Sequence, residues 1–171
     1  MLKIGDVVAH PRYGIAFIES MRTTQYQNQT KRYYCLRLAT EKDKSMVLIP
    51  EDAIETAGLR TTLLNEATIQ ETMSQPPVKL EGDIRVRQDY IKTKMRSRDP
   101  QELVGLLRDL CWYEQTQRLS QAESRSREEL LTTLGGELSA SQQVSPLAAK
   151  HTLDAIIAAA MANHQAAKTV N

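Results

Sequence analysis

The chain has 171 residues, of which 41% are hydrophobic and 25% charged, a balance that excludes wholesale disorder. Twenty-two basic against 21 acidic residues leave a net charge of +1, which excludes a histone-like basic tail. Aromatic residues make up only 5%, so aliphatic and mostly helical packing is expected.

No run of 18 apolar residues occurs, so neither a transmembrane helix nor a membrane partner is expected. The first residues, Met1-Leu2-Lys3-Ile4-Gly5-Asp6, lack the apolar segment of a secretory signal, which points to a cytoplasmic protein. Cys35 and Cys111 belong to no CxxC pair and no Cys/His cluster; they read as reduced core residues, and no zinc site is expected.

Residues 1–60 read as strands, over 6–10, 14–21, 31–38 and 45–49, rich in Val, Ile, Tyr and Leu. Pro11-Arg12-Tyr13-Gly14 has turn chemistry, while residues 25–30 and 41–44 read as a polar and a charged hairpin tip. Alternation puts Tyr34, Leu36 and Leu38 towards a small core. Short strands at this density predict an SH3- or Tudor-like β barrel.

Beyond Gly58 the period changes. Residues 61–74 carry Leu64, Ala67 and Met73 at helical spacing, and Pro76-Pro77 follows; a polar linker runs to residue 83. Asp99-Pro100 has the form of an N-cap with proline at the first helical position, ahead of Leu103, Leu106, Leu107, Leu110 and Cys111 on one face. Ser120-Gln121-Ala122-Glu123 is a capping box. Ser145-Pro146 opens a last helix with an apolar stripe of Ala149, Leu153, Ile156, Ile157 and Ala160. Gly135-Gly136, inside a helical pattern, suggests close packing or a local break. The expected fold class is α+β: a β barrel at 1–60, a helix and linker at 61–83, and an all-α bundle at 84–171.

The net charge hides an asymmetry. Residues 78–100 carry seven basic and four acidic groups, whereas residues 101–171 carry six and eight. Within residues 84–98 (IRVRQDYIKTKMRSR), a helical wheel aligns Arg85, Lys92 and Arg96 in one stripe. Arg87, Lys94 and Arg98 form a second, with Ile84, Ile91 and Met95 between the two. Two readings stay open: cations snorkelling over a buried seam, or a helix end laid against phosphates with an apolar residue free to press on a base step.

Enzymatic chemistry finds no foothold. The histidines His10, His151 and His164 are scattered, with His10 expected to pack in a turn and His151 to be half-buried. No phosphate-binding, metalloprotease or nucleophile-elbow motif occurs. No catalytic residue, metal or cofactor is therefore expected.

The order of motifs resembles one family. Gly5-Asp6-x-Val8, Pro11-x-x-Gly14, Ile18-Glu19, Tyr33-Tyr34-x-Leu36, Met46-Val47-Leu48-Ile49-Pro50 and Gly58-Leu59-Arg60 are similar to the N-terminal domain of the CarD/CdnL transcription regulators. That domain is shared with the RNA-polymerase-interacting domain of transcription-repair coupling factor, a far longer protein with ATPase motifs absent here. Leu107-Arg108-Asp109-Leu110, Leu119-Ser120-x-x-Glu123 and Gly136-Glu137-Leu138 continue the resemblance to about residue 162.

The resemblance implies a monomeric regulator that binds the β subunit of bacterial RNA polymerase and associates with the nucleoid through it. Its helical domain would touch promoter DNA near the −10 element, weakly on its own, and stabilise the open complex. The polymerase-facing residues would be Thr23, Thr24, Met46, Val47 and Leu48; relatives often carry arginine where this chain has Thr24 and Leu48. The DNA-facing residues would be Ile84, Arg85, Arg87, Lys92 and Arg96, with Ile84 where many relatives place a wedge tryptophan. Isoleucine lacks a wide ring, and base stacking contributes about 1–3 kcal/mol, so bubble stabilisation weaker than in Trp-bearing relatives is expected. The alternative is an adaptor that docks on the polymerase, or on another partner, without touching DNA.

Overall fold

The computed structural model describes residues 2–11, 13–26, 29–39, 46–97 and 99–169. Two units divide the chain, Met1–Leu63 and Leu64–Asn171, each with its own hydrophobic core.

The first unit is an antiparallel meander of β1 (Val7–His10), β2 (Gly14–Tyr26), β3 (Gln29–Leu38) and β4 (Met46–Pro50), in spatial order β1-β2-β3-β4. Strand β2 is longer than the sequence predicts and pairs with β3 as far as Tyr26↔Gln29. The charged tip at 41–44 lies outside the described residues. An extra residue, Glu19, bulges between the Ile18↔Leu36 and Ser20↔Cys35 pairs, which shifts the face of β2 and increases its twist. After β4, a 3-10 turn (Glu51–Ala53) and the short helix α1 (Ile54–Ala57) end at Gly58. Its φ of 72° is the left-handed conformation glycine adopts at low cost. The chain then returns to the outer edge of β1: Ala9 N donates to Arg60 O (2.8 Å) and Arg60 N to Ala9 O (3.0 Å). Val8, Ala16, Ile18, Tyr34, Leu36, Leu38 and Ile49 fill the core. Tyr34, Leu36 and Leu38 face inward as the alternation predicts, and Cys35 between them is buried too.

The second unit comprises α2 (Glu66–Ser74), α3 (Ile84–Met95), α4 (Pro100–Glu114), α5 (Gln121–Gln142) and α6 (Pro146–Thr169). Helix α4 packs against the other four, because its Leu103, Val104, Leu106, Leu107, Leu110 and Cys111 are all buried. Helix α2 starts later than the periodicity suggested: Asn65 caps it by accepting from Thr68 N (2.9 Å). That phase buries Ile69, Thr72 and Met73 and leaves Ala67 exposed. The helix therefore packs into the helical core. The expected caps are present at Asp99, Ser120 and Ser145, whose hydroxyl accepts from Ala148 N.

Helix α5 runs unbroken through Gly135-Gly136, and a Cβ at either position would meet no atom within 4 Å. Neither close packing nor a break accounts for the pair. Gly135→Ala and Gly136→Ala are each expected to stabilise the helical unit by about 0.5–1 kcal/mol, through lower backbone entropy in the unfolded chain. Urea unfolding followed by helical circular dichroism measures this; a loss of stability would contradict the open space seen there.

Candidate functional site

Strand β4 is an edge strand: among the described residues it pairs with β3 alone. Its side chains alternate. Met46 and Leu48 point out, Leu48 with 51% of its surface exposed, whereas Val47 and Ile49 face the barrel core. Leu48 lies beside Cys35, and Met46 beside Arg37, whose guanidinium carbon is 4.8 Å from the Phe17 ring centroid. The result is an unpaired row of backbone groups flanked by two exposed aliphatic side chains, the form that accepts another strand. Val47 can contribute only its main chain. Thr23 and Thr24 are exposed but pair with Arg32 and Lys31, past the Tyr33↔Pro50 end of the β3–β4 ladder. They therefore do not adjoin Met46 and Leu48.

Helix α3 carries the second candidate surface. Asp83 caps it, accepting from Arg85 N (2.7 Å) and Val86 N (3.3 Å). Its first turn leaves Ile84 46% and Val86 53% exposed, while Ile91 and Met95 further along turn into the core. Arg85, Lys92 and Arg96 are all exposed, on one stripe about 16 Å long at 1.5 Å per residue. Asp89 is exposed on the same stripe, four residues after Arg85 and three before Lys92, and dilutes its charge. That spacing was readable in the sequence. A shallow groove beside Ile84 is lined by Arg118, Leu119, Gln121 and Ser124, a placement that only the tertiary structure supplies.

Arg87 corrects the sequence reading. It is 5% exposed, and its Nε donates to Glu123 Oε1 at 2.6 Å. Nη1 donates to the carbonyls of Glu81 (2.7 Å) and Gly82 (3.0 Å), and the guanidinium lies 4.7 Å over the Tyr113 ring. Its Nε and Nη1 donors are held inside the fold, which sets it apart from the exposed cations of this helix. Glu123 also completes its capping box, Oε2 accepting from Ser120 N (2.7 Å). Burial pushes its carboxyl up, but the hydrogen bonds from Arg87 and Ser120 outweigh burial and hold it below the usual glutamate range. Lys94, from the same predicted stripe, pairs with Glu102 at 2.7 Å. Arg98 lies outside the described residues.

A second buried network surrounds Asp109, which is 1% exposed. Its Oδ1 accepts from Arg108 Nε (2.9 Å) and Nη2 (2.7 Å) and from Val78 N (3.0 Å); its Oδ2 accepts from the Tyr90 hydroxyl (3.0 Å). Arg108 Nη1 reaches Thr72 O (3.1 Å) at the end of α2. Desolvation and the adjacent Asp109 carboxylate push the Tyr90 hydroxyl up to about 12, so it remains a donor across the physiological range.

Neither cysteine nor histidine builds a reactive centre. Cys35 and Cys111 are free and buried, and burial pushes the Cys111 thiol up to about 11. His10 packs on Tyr13, with ring centroids 4.6 Å apart, as a turn residue. His151 is exposed rather than half-buried. His164 bonds Met73 O (2.9 Å) and sits edge-on to the half-buried Trp112. Among the described residues no group of three His, Cys, Asp or Glu side chains could hold a metal, and no helix is long and apolar enough to cross a membrane.

A small β unit with an open β4 edge, followed in the chain by a helical unit bearing a cationic helix, defines a class of interaction proteins. Residues 2–62 match the CarD-like/TRCF RID domain, and residues 68–154 match the CarD C-terminal domain. The chain belongs to the CarD family, transcription regulators that interact with RNA polymerase and are not enzymes.

Proposed function

We propose that this regulator docks on the polymerase β subunit through the β4 edge and contacts promoter DNA near the −10 element with the start of α3, stabilising the open complex. The observation that carries the DNA half is the pairing of exposed Ile84 and Val86 with the exposed cations Arg85, Lys92 and Arg96 on one helix. Isolated apolar side chains at a helix start suit a base step at the bubble edge, and the cations suit the flanking phosphates.

Three phosphate contacts give a salt slope of about −2.7, a loss of about 40-fold in affinity between 50 and 200 mM salt. DNA affinity from α3 alone is therefore weak, and docking of the β unit supplies it as a high effective concentration. The burial of Arg87 and the presence of Asp89 on the stripe favour a second reading, an adaptor that docks without touching DNA.

Open-complex lifetime with purified polymerase separates the two. Under the first reading Arg85→Glu with Lys92→Glu shortens the lifetime and Asp89→Asn lengthens it, both more strongly at low salt. A lifetime indifferent to all three changes, with polymerase binding intact, establishes the adaptor.

A further inference from the structure

The tip of α3 is held from both sides. Asp83 caps it from before Ile84, and Arg87 reaches back past Ile84 to the carbonyls of Glu81 and Gly82. The segment that exposes Ile84, Arg85 and Val86 is thus closed into a loop by one arginine. That arginine is anchored by Glu123 on α5 and stacked on Tyr113 of α4. Glu123 is itself fixed by the Ser120 main chain. Every link in this chain is 3.0 Å or shorter apart from the cation–π contact.

We propose that the Arg87–Glu123 pair is a positioning device for the DNA-facing tip, acting on open-complex stability through Ile84 without touching DNA. The inference rests on the DNA contact proposed above. Its physical basis is preorganisation: an apolar side chain on an ordered turn meets a base step without the entropy loss of ordering that turn on contact. A buried ion pair adds little to global stability compared with apolar residues of similar size, so conformational specificity is the better account of it here.

The test uses the full chain with polymerase holoenzyme on promoter DNA. Arg87→Met combined with Glu123→Gln removes both charges together, and glutamine at the third helical position preserves the capping box. The carbonyls of Glu81 and Gly82, both exposed residues, revert to water. Open-complex lifetime is expected to fall on the order of tenfold, equivalent to re-ordering about one backbone residue on contact, with polymerase affinity unchanged. In an Ile84→Ala background the same pair of changes should shorten the lifetime little further, because the device acts through that side chain.

An unchanged lifetime, or a full additional loss in the Ile84→Ala background, overturns the positioning role while leaving the DNA contact standing. An Ile84→Ala variant with wild-type lifetime removes the Ile84 contact, and the positioning role with it, while Arg85→Glu with Lys92→Glu still reads the contact made by the cations. Should the double variant fail to fold, Arg87→Lys carries the comparison. It keeps a charge for Glu123 but has no fork to grip the 81–82 carbonyls at the same time.

Discussion

Asp109→Ala is expected to destabilise the helical unit by about 3–5 kcal/mol, the cost of leaving a buried charge without its partner. Arg108 would lose both bonds to Oδ1 while its guanidinium stays inside the core, and Val78 N and the Tyr90 hydroxyl would each lose an acceptor. These bonds join α4 to the segment after α2 and to α3, so the damage extends over three elements. At about 4 °C per kcal/mol for a domain of this size the melting temperature falls by about 12–20 °C. Tyr90→Phe removes one charged hydrogen bond and should cost less, about 1.5–3 kcal/mol. Arg108→Met with Asp109→Leu, which removes both charges, should recover part of the loss, since Val78 N and the Tyr90 hydroxyl still lack their acceptor. Thermal and urea unfolding of the three variants checks the order; Asp109→Ala within 1 kcal/mol of wild type would show that the network contributes no stability.

Leu48→Asp is expected to weaken polymerase binding on the order of 100-fold, the size of losing an interface hot spot. Leu48 is the most exposed apolar side chain on the open β4 edge, and a carboxylate there would be desolvated as a partner strand docks. The edge backbone stays intact, so barrel stability should change by less than about 0.5 kcal/mol, as for other exposed substitutions. Leu48→Arg should weaken binding less than Leu48→Asp, since the aliphatic stem of arginine keeps apolar contact while its guanidinium reaches the solvated rim. Titration against the polymerase β lobe, with thermal melting as the folding control, reads both variants. Equal binding by Leu48→Asp and wild type would move the docking surface away from β4.

Much of the architecture was legible because its causes are local. Asp99-Pro100, Ser120 with Glu123, and Ser145-Pro146 satisfy backbone donors within three residues of themselves, so their spacing alone announces a helix start. The apolar face of α4 was equally plain, because a 3.6-residue period maps one-to-one onto a buried stripe. Helix α2 was legible as a helix, but the stripe read for it took Leu64, Ala67 and Met73 and passed over Ile69. The cap at Asn65 sets the true phase.

The candidate site divides differently. That the chain carries a basic segment with Ile84 at its head, and an aliphatic strand at 46–49, follows from residue order alone. Which of the cations face outward does not follow. Arg85 and Arg87 are both arginines on the first two turns of one helix, yet one is exposed and the other is sealed against Glu123, 36 residues away. A helical wheel gives the angle between side chains but not the direction of the core. That direction comes from the packing of α3 on α4 and α5, and it alone decides that Arg85, Lys92 and Arg96 are exposed while Arg87 is buried against Glu123.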